Sequence, residues 1–273
     1  MEAKQVTHLA SNVHMAATSS LLLSSLLFLL LLQPSPSTAN EGNVLLTGDT
    51  LPTNGELSNS KAVFVIQNDC NLVLYNNGKG FASKTYEAGV NCTLSLNDRG
   101  QLLIKSSNGT LVWFTPRGPI GKYAAVLRPD GQVGIFGPQL WSTPEVWAMK
   151  RVVDPMKFST APSDRNLLFS SQLLNEGEKL QTSDYNFMVG KDCEVALAKA
   201  TGNSLLWGSR TKLKGDHCYV RLNYRGQLAV LNDFNNKLWV SGPPKQEGVH
   251  VLVLQINGAA AIYGPERWTT AAL

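Results

Sequence analysis

The sequence predicts an all-β protein of two tandem domains, each composed of three similar β-sheet units. Three observations support this fold class. Short apolar runs are separated by turn-forming Gly, Asn, Asp and Thr, a longer pattern recurs about 123 residues further along, and large aromatic residues recur about every 30 residues within each half. Beyond an N-terminal leader, about 230 residues remain, which suits two domains of about 115 residues each.

The N-terminus carries the features of a secretory signal peptide. Residues 21–32 form a Leu-rich run that is shorter than the roughly 20 apolar residues a membrane-spanning helix needs. Small residues at 37–39 suit a signal peptidase, so residues 1–39 are assigned as a signal peptide cleaved after Ala39. Initiation at Met15 and a signal anchor stay open as alternatives. We expect a secreted or vacuolar product of the secretory pathway.

Composition and motifs argue against several functional classes. The net charge is only +4 and no Lys/Arg cluster occurs, so nucleic-acid binding has no support. The mature chain contains no further apolar stretch that resembles a membrane span. Its two histidines, His217 and His250, lie in no metal-ligand or nucleophile motif, so we expect no catalytic residue, metal or cofactor, and no enzyme. A paired-carboxylate glycosidase is the enzyme alternative, but no second carboxylate stands out beside Asp69.

The cysteines fit an oxidising compartment. Cys70 and Cys92 are 22 residues apart and Cys193 and Cys218 are 25 apart, which predicts two similar local disulfides. Two glycosylation sequons begin at Asn91 and Asn108. The first is the weaker candidate because its middle residue is one of the expected disulfide cysteines.

The long repeat defines the domain boundaries. The sequence at residues 43–46 recurs at 166–169, and later landmarks keep nearly the same offset. The prediction is therefore a first domain at 40–144, a linker at 145–165 and a second domain at 166–273.

Aromatic residues suggest threefold symmetry within each half. We expect the three aromatics of each half to meet in a shared core, because no single small sheet could bury them. The alternative is that they stack on sugar rings. The two sets are Phe81, Trp113 and Trp141 in the first half, and Trp207, Trp239 and Trp268 in the second.

Turn signals inside the apolar runs predict β-hairpins, and the segment 67–75 is the most informative of them. If it folds back at residues 69–71, alternate side chains share one outer face while the others form the core. The outer face would carry Gln67, Val73 and Tyr75, with Asp69 and Asn71 at the turn, and the core face would carry Ile66, Leu72 and Leu74.

This segment resembles a known signature. Gln67-Asn68-Asp69-Cys70-Asn71-Leu72-Val73-Leu74-Tyr75 matches the Gln-x-Asp-x-Asn-x-Val-x-Tyr pattern of the monocot mannose-binding (bulb-type) lectins. Residues 45–51, 123–127 and 136–138 look like other parts of that family, and the second half follows the same layout to Trp268. The resemblance implies two tandem β-prism II domains, each with three four-stranded antiparallel sheets in pseudo-threefold symmetry, and calcium-independent binding of mannose.

The resemblance also implies a role for each residue of the signature. Asp69 and Asn71 would bind the axial O2 of mannose, Gln67 would bind O3, Tyr75 would bind O4, and Val73 would pack on the ring carbons. Glucose, whose O2 is equatorial, would leave two polar partners unpaired at about 1–3 kcal/mol each. The expected partners are mannose-containing glycans and glycoproteins.

The other five repeats depart from the signature. In the third repeat Asp130 and Gln132 remain as a weak candidate site, but Arg128 is expected to pair with the carboxylate and block it. In the last repeat the weak candidates are Gln255, Asn257 and Tyr263. The three other repeats are expected to be inactive. At the five signature positions the second repeat of the first half has Asn97, Arg99, Gln101, Leu103 and Lys105. The first and second repeats of the second half have Gly190, Asp192, Glu194, Ala196 and Ala198, and Asn223, Arg225, Gln227, Ala229 and Leu231, respectively.

The family resemblance extends to assembly and biological role. Exchange of C-terminal strands through residues 251–268 would give a homo-oligomer, and cleavage in the linker would give a heterodimer. A role in plant defence is expected. The alternative is a storage or taste-modifying protein whose sugar binding is weak or lost, since five of the six repeats are degraded.

Overall fold

The computed structural model describes residues 42–78, 80–144 and 164–272. The predicted signal peptide at 1–39 and linker residues 145–163 lie outside the described residues. The described part contains 24 short strands and two 3-10 turns, Asp164–Asn166 and Thr270–Ala272. None of its helical segments is long and apolar enough to cross a membrane. The prediction of an all-β fold is confirmed.

The strands follow the short apolar runs closely. Those of the first half are β1 (Val44–Leu46), β2 (Thr50–Leu51), β3 (Glu56–Ser58), β4 (Val63–Ile66), β5 (Leu72–Tyr75), β6 (Phe81–Ala82), β7 (Thr93–Leu96), β8 (Leu102–Lys105), β9 (Leu111–Phe114), β10 (Ala124–Leu127), β11 (Val133–Phe136) and β12 (Gln139–Ser142). Those of the second half are β13 (Leu167–Phe169), β14 (Leu173–Leu174), β15 (Lys179–Gln181), β16 (Tyr185–Val189), β17 (Val195–Lys199), β18 (Leu205–Gly208), β19 (Tyr219–Leu222), β20 (Leu228–Leu231), β21 (Lys237–Val240), β22 (Val251–Leu254), β23 (Ala260–Tyr263) and β24 (Glu266–Thr269).

These strands form six four-stranded antiparallel sheets, three for each half. In the first half the first sheet has the order β3-β4-β5-β6 and the second has β2-β7-β8-β9. In the second half the corresponding orders are β15-β16-β17-β18 and β14-β19-β20-β21. In β4 and β7 buried and half-buried residues alternate, as expected for strands with one face on a core. The expected set of three four-stranded sheets per half is confirmed.

The third sheets exchange their last strands between the halves. Their orders are β1-β10-β11-β24 and β12-β23-β22-β13, so β24 completes a sheet of the first half and β12 completes a sheet of the second. Within this single chain β24 pairs with β11; exchange of residues 251–268 with a second copy of the chain stays a prediction. The predicted division at 145–165 stays a prediction.

The exchange also corrects the expected grouping of the aromatic residues. Trp268 packs on Phe81 and Trp113 of the first half, with ring centroids 5.7 and 6.3 Å apart. Trp141 packs on Trp207 and Trp239 of the second half, at 5.7 and 5.6 Å. Three aromatics therefore do meet in each core, but the last member of each set comes from the other half, because it lies on the exchanged strand.

A third apolar cluster joins the two halves. The third sheets pack face to face, so β10 and β11 are buried along their whole length and do not alternate. This junction cluster contains Val44, Ala124, Val126 and Phe136 from the first half, and Leu167, Val251, Val253, Ala261 and Tyr263 from the second. The outer face of the third repeat, which would carry a sugar site, is thus part of the junction in both halves.

The two predicted disulfides are confirmed as Cys70–Cys92 and Cys193–Cys218. Cys70 has φ of 69° and Cys193 has φ of 65°, the left-handed conformation that glycine takes in the equivalent turns of other repeats. Each disulfide therefore ties the tip of the first-sheet hairpin to the start of the second sheet. The sequon residues Asn91 and Asn108 are exposed, and their glycosylation stays a prediction.

Candidate functional site

The signature segment folds as the predicted hairpin. β4 and β5 pair in register, with Val63 opposite Tyr75 and Ile66 opposite Leu72. The turn closes through two backbone hydrogen bonds, from the Gln67 amide to the Asn71 carbonyl at 2.9 Å and from the Cys70 amide to the Gln67 carbonyl at 3.0 Å. The two legs therefore bring residues that are eight positions apart in sequence onto one small surface.

The two faces of the hairpin divide as predicted. Ile66, Leu72 and Leu74 are at most 1% exposed and belong to the core of the first half. On the opposite face Gln67 donates a 2.8 Å hydrogen bond from Nε2 to Oη of Tyr75, whose side chain is 55% exposed. This amide–phenol pair lies at the surface with both groups oriented before any ligand arrives.

Asp69 and Asn71 are fixed by hydrogen bonds at the turn. Oδ1 of Asp69 accepts the Asn71 backbone amide at 2.9 Å. Oδ1 of Asn71 accepts from the Ser83 hydroxyl and from the Thr85 backbone amide, both at 3.2 Å. Because the Asn71 oxygen faces these two donors, its Nδ2 is the group available to donate. The site thus presents a carboxylate acceptor beside an amide donor.

Sequence reasoning missed the supporting residues Ser83 and Thr85. Their hydroxyls are 2.6 Å apart, and they hold the Leu72 amide and the Cys70 carbonyl as well as Asn71. A Ser-x-Thr pattern recurs at Ser209 and Thr211, which make the same contacts in the second half. That recurrence is the sequence signal that would have identified them.

The equivalent hairpin of the second half keeps this support but uses it differently. Glu194, at the position of Asn71, accepts the backbone amides of residues 210, 211 and 212, each at 2.8 Å. Its carboxylate is therefore taken up by the neighbouring loop. Gly190, Ala196 and Ala198 replace the glutamine, valine and tyrosine of the signature, so no amide–phenol pair is present.

The second repeats use their polar side chains to hold turns and strands. Oδ1 of Asn97 accepts the amides of Arg99 and Gln101, and Gln101 Nε2 donates to the Thr115 carbonyl at 3.0 Å. In the second half Oδ1 of Asn223 accepts the amides of Arg225 and Gln227 in the same way, while Gln227 Nε2 donates to the Gly242 carbonyl at 2.6 Å.

The third repeat of the first half is filled by an ion-pair network. Arg128 contacts both Asp130 and Glu266, which confirms the expected pairing and adds a residue from the exchanged strand. Glu266 lies where a side chain on residue 134 would be, and this position is a glycine. Burial raises the pKa of Glu266, while the Arg128 charge acts in the opposite direction. Gln132 accepts a hydrogen bond from Thr270, so this weak candidate site is occupied by the protein itself.

The last repeat retains two hydrogen bonds of the intact site. Gln255 Nε2 donates to Tyr263 Oη at 2.8 Å, which reproduces the Gln67–Tyr75 pair. Asn257 Oδ1 accepts the Ala259 amide at 3.0 Å, as Asp69 does for Asn71. Tyr263, however, is only 2% exposed because it lies in the junction between the halves.

Within the part of the chain that the structure describes, no three His, Cys, Asp or Glu side chains are grouped so that they could hold a metal ion. The complete set of five signature side chains comes together at Gln67–Tyr75. The Asp69 carboxylate and the Asn71 amide lie at its turn, and the Gln67 amide, the half-buried Val73 and the Tyr75 phenol lie on its two legs. Such an arrangement suits a small ring with adjacent hydroxyls and an apolar face.

The chain is similar to several known proteins. It is 47% identical over 256 residues to mannose-specific lectin 2 of Crocus vernus, covering 92% of this chain and 96% of that protein. It is 39% identical over 251 residues to mannose-specific lectin 2 of Colocasia esculenta, covering 90% and 93%. The structure of the fetuin-binding, two-domain agglutinin of Scilla campanulata matches with a TM-score of 0.74 and 31% identity, over 83% of this chain and 99% of that one.

No protein-family model matches the chain. The similarity nevertheless covers nearly the whole length of these relatives, which are lectins. Lectins are carbohydrate-binding proteins rather than enzymes. The expected fold class, the expected family and the expectation that the chain is not an enzyme are therefore confirmed. The chain belongs to the monocot mannose-specific lectin family, as a two-domain member.

Proposed function

We propose that this protein is a mannose-binding lectin whose selective site is formed by Gln67, Asp69, Asn71, Val73 and Tyr75. The single observation that carries the proposal is the preformed pair of hydrogen bonds on one hairpin, Gln67 to Tyr75 and Asn71 to Asp69. Groups that are oriented before binding lose little conformational freedom when a sugar arrives. The names of the relatives, which describe them as mannose-specific, support the same ligand.

Selectivity in this proposal depends on the axial O2 of mannose. The Asp69 carboxylate accepts from this hydroxyl and Asn71 Nδ2 donates to it, while Ser83 and Thr85 hold the Asn71 amide in the required orientation. Glucose presents O2 equatorially and leaves both groups unpaired, at about 1–3 kcal/mol for each. Gln67 and Tyr75 bind O3 and O4, and Val73 packs against the ring carbons.

Each hydroxyl is met directly by a side chain of the hairpin, so recognition in this proposal requires no calcium ion. One shallow site of this kind gives only about millimolar affinity, or about −4 kcal/mol. Binding to mannose-containing glycans and glycoproteins therefore requires several copies, and we propose a homo-oligomer. We also propose that the protein is secreted or delivered to the vacuole and that it acts in defence. The two disulfides and the leader sequence support passage through the secretory pathway.

Linker cleavage is compatible with this function. β12 and β24 cross between the halves and each completes a sheet with the other half's strands. A chain cut within residues 145–163 would therefore stay associated as a heterodimer. Size-exclusion chromatography of a chain cut by a protease at a site engineered there should show a single species, whereas separation into halves would contradict this expectation.

Affinity chromatography tests the proposed ligand. The parent chain should be retained on mannan-agarose and released by methyl α-mannoside at concentrations where methyl α-glucoside has little effect. Asn71→Ala should lose this mannoside-selective retention, because it removes the donor that meets O2. Gln101→Ala, at the equivalent position of a degenerate repeat, is the matched control and should behave like the parent. A parent chain without mannoside-selective retention would instead favour a storage protein with lost sugar binding.

A further inference from the structure

Most contacts between the two halves would form equally well between two copies of the same half. Asn43 and Asn166 lie at equivalent positions of the long repeat, are fully buried, and exchange two side-chain hydrogen bonds of 2.9 and 3.2 Å. The junction cluster likewise uses equivalent positions of both halves, such as Val44 and Leu167. These contacts hold the halves together, but they do not distinguish the other half from a second copy of the same one.

An ion pair breaks this symmetry between the halves. Arg128 Nη1 donates a 2.9 Å hydrogen bond to Oε1 of Glu266, which lies on the exchanged strand β24. At the equivalent positions, where β12 pairs with β23, the side chains are the neutral amides of Gln255 and Gln139. The side chains of Arg128 and Glu266 are only 24% and 18% exposed, so either charge would be costly without a partner.

The backbone beside this ion pair is shaped for it. A Cβ atom on Gly134 would overlap the Glu266 carboxylate, so the glycine leaves the space that the carboxylate fills. The equivalent residue of the second half is Ala261, which is buried. If β24 paired with β23 of another second half, Glu266 would meet this methyl group and would have no arginine partner. A β12 strand on β11 of another first half would leave Arg128 facing Gln139, so each exchanged strand fits the other half better than a copy of its own.

We propose that Arg128, Gly134 and Glu266 determine pairing, so that each half accepts the other half and rejects a second copy of itself. A heterotypic pair, of one first half and one second half, is thus favoured over the two homotypic pairs. This selection matters in a chain cut within residues 145–163, where no linker holds the two halves together. The inference rests on the junction and not on sugar binding. Under the proposed function it also fixes one selective hairpin in each pair, whereas a pair of first halves would carry two.

The contacts give the size of the expected preference. Converting two heterotypic pairs into one homotypic pair of each kind breaks two Arg128–Glu266 contacts and leaves two carboxylates without an arginine. Arg128 keeps Asp130 as a partner, so only the carboxylates are counted. A hydrogen bond to a charged group is worth roughly tenfold, so the conversion should be about a hundredfold less favourable than in random pairing. The homotypic share should then fall from about one half to below about one tenth.

The experiment uses the full chain with a protease site engineered within residues 145–163, cut after folding. The halves are mixed in urea, which leaves each disulfide closed within its own half, and the urea is then removed. Native mass spectrometry counts the three kinds of pair, and the parent should give a homotypic share below about one tenth. Arg128→Gln should raise this share to about one half, because both arrangements then leave equally many carboxylates unpaired. Arg99→Gln, at an exposed arginine outside the junction cluster, is the control and should pair like the parent.

Reversal of the preference is the sharper test. A chain that carries Arg128→Gln, Gly134→Ala, Gln255→Arg and Ala261→Gly offers an arginine to β24 of its own kind of half, so about nine tenths of its pairs should be homotypic. Adding Gln139→Glu and Glu266→Gln moves the carboxylate to β12 and should restore heterotypic pairing, which damage to the fold would not do.

Two results would overturn the proposal. One is a homotypic share near one half in the parent, which would show that the junction does not select. The other is a reversed chain that regains the near-ultraviolet circular dichroism of the parent but still pairs heterotypically. If the reversed chain does not refold, the parent and Arg128→Gln decide the question, since equal homotypic shares in these two chains would contradict a role for the ion pair.

Discussion

Trp268→Ala should destabilise the first half of the molecule, although Trp268 belongs to the second half in sequence. Its ring packs on Phe81 and Trp113 at the centre of the first-half core, in edge-to-face geometry with interplanar angles of 84° and 72°. Truncating a fully buried Trp to Ala costs about 3–5 kcal/mol, and Trp268 is only partly buried, so we expect about 3 kcal/mol. That loss is a large part of the roughly 5–15 kcal/mol by which domains are stable.

Hydrogen exchange followed by mass spectrometry can locate this loss. In Trp268→Ala the amides of β4, β5, β7 and β8 should exchange faster, while β16 and β17 keep more of their protection. Trp141→Ala is the matched control and should give the opposite pattern, because its ring packs on Trp207 and Trp239. If Trp268→Ala instead loosened mainly β16 and β17, each half would retain its own last strand and the exchanged arrangement would be wrong.

Changes at His250, Glu194 and Tyr75 should each have a distinct effect. Burial lowers the pKa of His250, so the unfolded chain, with a His pKa of about 6.5, takes up a proton more readily than the folded chain. The free energy of unfolding, measured by urea titration, should therefore fall as the pH is lowered from about 7.5 to about 5. His250→Tyr introduces the residue that Tyr123 provides at the equivalent position of the first half, and it should flatten this pH dependence. Glu194→Ala should lower the stability measured by thermal unfolding by about 1–3 kcal/mol, because it leaves three backbone amides without their acceptor. The Kd for the mannoside should not change. Weaker mannoside binding by this variant would contradict the proposed single selective site. Tyr75→Phe should weaken mannoside binding about tenfold in calorimetric titrations, since it removes a hydroxyl without altering the core, and an unchanged Kd would exclude Tyr75 from the site.

Local features could be predicted from the sequence because neighbouring residues determine them. The hairpin at Gln67–Tyr75 follows from period-2 alternation around a turn, and its core and outer faces are as expected. The disulfides follow from two similar spacings in a secretory context. Cys70 stands at the turn position that glycine occupies in other repeats, and it has the same left-handed φ as Gly100 and Gly226.

The exchange of β12 and β24 could not be predicted in the same way. The two strands occupy equivalent positions in related repeats, and each carries one tryptophan, so either fits the edge of either third sheet. What distinguishes the arrangements is the burial of the junction cluster, which depends on contacts between residues more than 100 positions apart. Periodicity within one strand contains no information about such contacts.

The junction also gives a physical reason for part of the sequence degeneration. In both third repeats the face that would carry a sugar site is packed against the other half, so Phe136 and Tyr263 are buried where Tyr75 is exposed. An open monosaccharide site and a closed apolar junction compete for the same face. The first repeat of the first half lies outside this junction cluster and retains all five residues of the signature.

In the proposed function one hairpin selects mannose through Gln67 and Asn71. An NMR titration with methyl α-mannoside, monitored at assigned side-chain amide resonances, tests it most directly. The side-chain amide resonances of Gln67 and Asn71 should shift when the mannoside is added, while those of Gln101 and Gln227 should not. Methyl α-glucoside at the same concentration should leave the Gln67 and Asn71 resonances nearly unchanged. Shifts of Gln67 and Asn71 that are the same for both sugars, or absent with the mannoside, would contradict it.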